Sequence, residues 1–244
     1  MSSARRWASA ALAFSGAISA AVLTSPASAA VFNGSAQGLS HPFHSTSGNW
    51  SGYAATGARF TSVSATWTQP AVSCGSQTTY SSFWVGLDGD GSNSVEQTGT
   101  EADCSGGRAV YSSWYEMYPA YPVNFSNPVS PGDVFQASVT YNGSNKFTLV
   151  LTDKTKNWSH TIHSTLSNPA LASAEVIAEA PSSSSGVLPL AKFGTVNFSA
   201  SKANGAALSS FSPDKITMAT GSTTKAVPGA LSSAGNFSVA WKHS

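Results

Sequence analysis

The sequence predicts an all-β protein, a sandwich or a barrel, and three observations carry that prediction. From Asn49 to the C-terminus apolar and polar residues alternate with period two in segment after segment, as strands with one buried face require. Gly, Pro, Asn, Asp and Ser clusters punctuate those segments at short intervals, the spacing of many short strands rather than of strand–helix units. No segment makes a convincing amphipathic helix: Ala200 to Leu208 comes nearest, and Gly205 weakens it. About a dozen strands are expected, and about 200 residues can form a single such domain.

The first 29 residues read as an export signal. Arg5 and Arg6 give a positive start, Ala8 to Val22 a modest apolar run, and Ala27-Ser28-Ala29 a small-residue cleavage site. The run is short for a membrane span and no later segment qualifies, so a secreted, extracellular protein is expected, free of the membrane after cleavage. The twin arginines are compatible with Sec and Tat export alike. Residues 30–48 lack periodicity and read as a linker or short pro-segment, leaving 49–244 as the domain.

Without the signal, ten basic residues face eleven acidic ones. This near-neutral balance offers no footprint for nucleic acid and no polybasic membrane patch. Charged residues make up only 9% of the chain, well below the usual quarter. Few ionised carboxylates means few ion pairs to lose in acid, a hint of an acidic working range. A sparsely charged secreted lectin would look similar. The two cysteines, Cys74 and Cys104, lie in the exported part, where an even count favours one disulfide. A loop of that length stabilises by about 3–4 kcal/mol on the chain-entropy model.

Along the domain, Phe60 to Thr68 places Val63, Ala65 and Trp67 on one face before Gln69-Pro70 ends the strand. Phe83 to Asp88 puts Phe83, Val85 and Leu87 on one side and Trp84, Gly86 and Asp88 on the other, and Gly89-Asp90-Gly91 turns the chain towards Gln97. Residues 107–118 set Val110, Trp114, Glu116 and Tyr118 against Tyr111, Tyr115 and Met117. A proline-rich loop follows, then a hairpin expected to turn at Asn142-Gly143. Trp158 to Ser164, Ala172 to Ala180, Leu188 to Phe198 and Phe237 to Trp241 complete the pattern, with Ser182 to Ser185 as a polar loop.

Six of the eleven acids fall between Asp88 and Glu116. On the strand Ala174 to Glu179, Glu175, Ile177 and Glu179 share one face and Ala174, Val176 and Ala178 the other. Glutamate is depleted in strands, so two on one face are either a solvated exterior or a site. Other chemistry is poorly supported. His160 and His163 point to opposite faces and no histidine spacing suits zinc, and Asp88-Gly89-Asp90-Gly91 lacks the closing glutamate of a calcium loop. No nucleophile elbow and no phosphate loop occur. Neither metal nor cofactor is expected.

Six motifs then stand in one order: Asn49-Trp50-Ser51-Gly52-Tyr53, Phe83-Trp84-Val85-Gly86-Leu87-Asp88-Gly89, Gln97-Thr98-Gly99, Trp114-Tyr115-Glu116-Met117-Tyr118-Pro119, Ala174 to Glu179, and Phe193-Gly194-Thr195-Val196. Together they resemble the glutamic peptidases, the eqolisins, over essentially all of Asn49 to the C-terminus. The resemblance implies a concanavalin-like β-sandwich of two packed antiparallel sheets with a concave substrate cleft. It implies a catalytic Gln97 and Glu175, with Trp84, Asp88, Glu116, Trp114, Tyr118 and Glu179 in the cleft. Where the family usually has an aromatic, Val176 and Met117 stand, and both are expected to reshape subsites. Glu101 stands where an Asp is familiar. The long basic pro-segment of fungal members is absent, which suggests a bacterial-type branch.

The chemistry suits those residues. Peptide hydrolysis needs a base for water, an oxyanion stabiliser and an acid for the leaving amine. Glu175 can serve as base and then acid, while Gln97 cannot ionise but can donate and accept. The expectation is a monomeric, acid-acting endopeptidase with protein or peptide substrates. Two rivals use the same residues: a lectin-like sandwich stacking sugars on Trp84, Trp114 and Tyr118, and a glycoside hydrolase using Glu116 and Glu175.

Overall fold

The computed structural model describes residues 44–244, so the export signal and most of the expected linker lie outside the described residues. The strands are β1 (His44–Ser47), β2 (Trp50–Ala55), β3 (Ser62–Thr68), β4 (Ser82–Leu87), β5 (Val95–Ser105), β6 (Arg108–Tyr118), β7 (Val123–Asn124), β8 (Val134–Gly143) and β9 (Lys146–Asp153). They continue as β10 (Trp158–Thr165), β11 (Ala174–Glu179), β12 (Ser182–Ser183), β13 (Gly186–Val187), β14 (Thr195–Ala203), β15 (Ala206–Ala207), β16 (Asp214–Thr220), β17 (Thr223–Pro228) and β18 (Phe237–Trp241). Among the described residues the one helical element is a 3₁₀ turn, Leu208–Phe211.

One hydrogen-bonded ladder runs β10-β9-β8-β3-β14-β18-β17-β16-β2-β11-β4-β5-β6-β7. Twist lets so long a ladder double back, and its two halves pack face to face. The core between them takes Val63, Ala65 and Trp67 from β3, Phe135, Ala137 and Val139 from β8, and Phe147, Leu149 and Leu151 from β9. From the other half come Phe83, Val85 and Leu87 of β4 and Ala174, Val176 and Ala178 of β11. The Trp67 indole nitrogen crosses the interface to donate to Thr100 Oγ1 at 3.0 Å, so the wide indole is buried without an orphan N–H. Cys74 and Cys104 are bonded, with Cα atoms 5.4 Å apart, tying the chain before β4 to the far end of β5.

Several expectations are corrected. The ordered domain begins by His44, because residues 44–47 of the expected linker pair in parallel with β16, the one parallel pairing among these strands. The β8–β9 hairpin turns at Ser144-Asn145, both at positive φ (51° and 62°), while Gly143 pairs with Lys146 and Asn142 sits at a register shift. A two-residue turn with both φ positive matches strand twist, and Asn and Ser tolerate it, which moved the tip two residues on. Residues 188–194 form only isolated bridges, so the strand expected from Leu188 starts at Thr195. The tempting helix at 200–208 is mostly strand. β16 and β17 escaped notice because polar Asp214 and Lys225 and the proline Pro228 occupy buried positions where alternation needs apolar residues.

Candidate active site

The second face of the β2-β11-β4-β5-β6 half carries the candidate chemistry. β11 lies between β2 and β4, antiparallel to both. Its register with β4, and that of β4 with β5 and β5 with β6, put Glu175, Gly86, Gln97 and Glu116 in one row across the strands. Directly opposed residues share a face, so the three side chains project together with a gap at the glycine. Glu175 and Gln97 stand two strand spacings apart, ~10 Å between backbones. A Cβ at Gly86 would meet the Trp84 ring at 2.8 Å and Gln97 Cβ at 3.3 Å.

The next row along is Ile177, Trp84, Gly99 and Trp114. A Cβ at Gly99 would lie 2.6 Å from Trp84 Cβ and 2.3 Å from the Phe83 carbonyl oxygen, so the glycine of the Gln-Thr-Gly motif makes room for Trp84. Trp50 meets Trp84 edge to face at 5.1 Å. With Trp114, Val95, Ile177 and Ile216 these rings form a second apolar cluster, against which the half-buried Tyr118 packs. Beyond it comes the row Glu179, Ser82, Glu101 and Ser112.

Both glutamates of β11 are buried, Glu175 fully, so the solvated-exterior reading of this face is ruled out. They differ in how they are satisfied. Glu179 accepts from Trp84 Nε1 at 2.8 Å and Asn49 Nδ2 at 3.0 Å, which makes it an anchor for the indole. Burial raises its pKa to about 8, less than it would without those two donors. Neither oxygen of Glu175 meets a donor at hydrogen-bonding geometry, and Gln97 Oε1 is likewise buried without a partner. Other buried acceptors also lack a partner, both oxygens of Glu96 among them, but those of Glu175 and Gln97 belong to residues of one row on either side of Gly86. Burial pushes the Glu175 pKa well above the usual glutamate range, with Asp90, Asp88 and Glu96 adding to the rise and the Ser173 hydroxyl opposing it.

Gln97 Nε2 donates to Glu116 Oε2 at 2.6 Å. Asp88 has a different task from facing a ligand. At φ 66° it accepts from the backbone N–H groups of Leu171 (2.9 Å) and Ala172 (2.7 Å), clamping the segment that leads into β11. Among the described residues no group of three or more His, Cys, Asp or Glu side chains is placed to hold a metal ion. Burial raises the Asp88 pKa despite those bonds.

Two expectations about departures from the motifs fail for one geometric reason. Val176 and Met117 lie one position from Glu175 and Glu116, so period-two alternation turns both into the inter-sheet core. They shape no subsite. Sequence reasoning passed over Asp90, whose pKa rises to about 6 through burial and the nearby Asp214, and Glu96, fully buried and raised to about 8 by burial and Asp88. The acid-rich stretch was their only signal.

The chain matches the model of the Peptidase A4 family over residues 48–241. Aspergillopepsin-2 of Aspergillus niger is 29% identical over 181 residues, 64% of this chain and 64% of that protein, so this chain spans just under two-thirds of that relative's length. The crystal structure of scytalido-glutamic peptidase with a transition-state analogue inhibitor matches with a TM-score of 0.67 at 26% identity, covering 80% of this chain and 98% of that one. Aspergilloglutamic peptidase from Aspergillus niger shares the fold with a TM-score of 0.61 at 24% identity, covering 67% and 99%. By sequence and by fold, this chain belongs to the Peptidase A4 family, the glutamic peptidases that its six motifs resemble.

Proposed function

We propose that the protein is a secreted endopeptidase with Glu175 and Gln97 as its reacting pair, active at the mildly acid end of the expected range because burial holds Glu175 protonated in stronger acid. The observation that carries this is the row Glu175-Gly86-Gln97, with three unpartnered oxygens around a gap that only glycine leaves. Scytalido-glutamic peptidase, similar in fold and sequence, binds a transition-state analogue inhibitor. By extension, peptides are the substrates of this chain.

In the proposed reaction ionised Glu175 takes a proton from a water held in the gap, and the resulting hydroxide oxygen bonds to the scissile carbonyl carbon. The carbonyl electron pair moves to oxygen, where an N–H of Gln97 donates to it. The C–N bond then breaks as Glu175 passes its proton to the amine, leaving acid and amine products with Glu175 ionised again. A well-aimed oxyanion donor is worth ~3–4 kcal/mol of transition-state stabilisation. Only one member of the pair titrates, unlike a carboxylate dyad sharing a proton. Both side chains are buried, so access for substrate requires this face to be uncovered.

Casein or haemoglobin hydrolysis tests the reading. Glu175→Gln and Gln97→Ala should each lower kcat at least ~10²-fold with circular dichroism unchanged. Full activity of either purified variant would overturn the assignment, and pepstatin should leave the wild type active. The glycosidase reading has little support, since Glu116 and Glu175 are three strand spacings apart, ~14 Å between backbones, with Gln97 and Gly86 between them. Sugar stacking leaves the orphan oxygens of Glu175 and Gln97 unexplained.

A further inference from the structure

We propose that Glu116 is a positioning residue that fixes which end of the Gln97 amide faces Glu175. This rests on the reading of Glu175 and Gln97 as the reacting pair. A carboxamide has two ends of nearly equal shape and opposite hydrogen-bonding character, so a catalytic glutamine needs something to orient it. Gln97 is 1% exposed, its oxygen has no partner, and the bond from Nε2 to Glu116 Oε2 is what holds the amide. In the flipped amide the N–H groups would turn away from Glu116 and this 2.6 Å bond would be lost.

The row order turns this local bond into a catalytic constraint. Glu116 lies on β6, on the far side of Gln97 from Glu175. Drawing the nitrogen towards Glu116 therefore turns Oε1 towards Gly86 and Glu175. The amide oxygen then accepts one hydrogen of the attacking water while Glu175 takes the other. The second N–H hydrogen, not used by Glu116, remains for the developing oxyanion. Glu116 thus allots the two functions of one amide to its two ends without touching substrate.

The test combines kinetics with the NMR signals of the Gln97 side-chain amide in protein carrying ¹⁵N-labelled glutamine. In wild type the two amide protons should be widely separated, one well downfield. Glu116→Leu removes the acceptor, and Glu116→Asp keeps the carboxyl group but withdraws it by about 1.5 Å, one C–C bond. Either variant should collapse the separation and lower kcat roughly 10- to 100-fold, with KM within about threefold. Glu116→Gln restores an accepting oxygen and should recover part of both signals.

If Glu116→Leu or Glu116→Asp has wild-type kcat, if the loss lies in KM alone, or if Glu116→Gln is as impaired as Glu116→Leu, the positioning role is wrong. An unchanged amide spectrum in Glu116→Asp overturns it as well, and the aspartate variant serves should the leucine variant not fold. Full activity of Gln97→Ala marks failure of the peptidase reading itself, a result the Glu116 variants alone would not give.

Discussion

Gly86 matters through what it lacks. In the proposed reaction Glu175 and Gln97 share one reacting molecule because no side chain rises between them, and Trp84 already fills the nearest space. Gly86→Ala drives a methyl into the Trp84 ring and Gln97, so kcat is expected to fall at least ~10²-fold while the thermal midpoint moves little by comparison. Asp88 works through the backbone. Asp88→Ala would leave two N–H groups without their acceptor, at about 2–5 kcal/mol, read as a Tm lowered by ~5–15 °C. The charge environment of Glu175 can be read from a pH–rate profile. Its raised pKa places the ascending limb, where the ionised base appears, above that of an ordinary glutamate at ~4.3. Asp90→Asn removes one negative neighbour and should move that limb to lower pH. A shift to higher pH would contradict the assignment.

At the scale of elements, β11 has an apolar face for the core and an acid face opposite it; alternation showed the division, but only the structure showed that the acid face is buried. The same alternation decides what Val176 and Met117 do, and there motif comparison misled. A residue next to a catalytic glutamate in sequence is, on a strand, on the opposite side of the sheet. Val176→Trp, which restores the aromatic usual in the family, is therefore expected to leave peptide KM unchanged. It should cost stability by overpacking the core, at least about 1–3 kcal/mol in urea unfolding. A KM change with no loss of stability would place residue 176 in the cleft after all. The strands that escaped notice carry polar or imino residues where the periodic signal needs apolar ones, Asp214 in β16 and Lys225 and Pro228 in β17.

For the whole molecule, buried acids set how stability follows pH. Glu96, Glu179, Glu101, Asp103, Asp90 and Glu175 all have raised folded-state pKa values, burial being the first cause in each. Between the unfolded value and the folded one, the folded protein holds a proton that the unfolded chain has released. Stability from these groups is therefore full below about pH 4 and falls as pH rises through each group's folded-state pKa. For Glu96 and Glu179 that fall reaches about pH 8. Tm should fall steadily from pH 4 to 8, and Glu96→Gln, with a neutral amide in place of the acid, should flatten the fall. Sparse charge suggested only that acid would do little harm, whereas the burial of these acids makes acid favourable.

Composition, alternation and motif order together were enough for the all-β class, the disulfide partners, the facing of residues in the strands that show alternation, and the family. These are local or pairwise properties, carried by period-two patterning and by which residue types occur. The row joining Glu175, Gly86, Gln97 and Glu116 was decided only by tertiary structure, because strand register depends on which of many β segments become neighbours and at what offset. The burial of the acids, the clamp of Asp88 on Leu171 and Ala172, and the anchoring of Trp84 by Glu179 likewise span about 80 residues or more of chain. Contacts of that range leave no periodic trace in a single sequence, since each partner alone looks like an ordinary strand or turn residue.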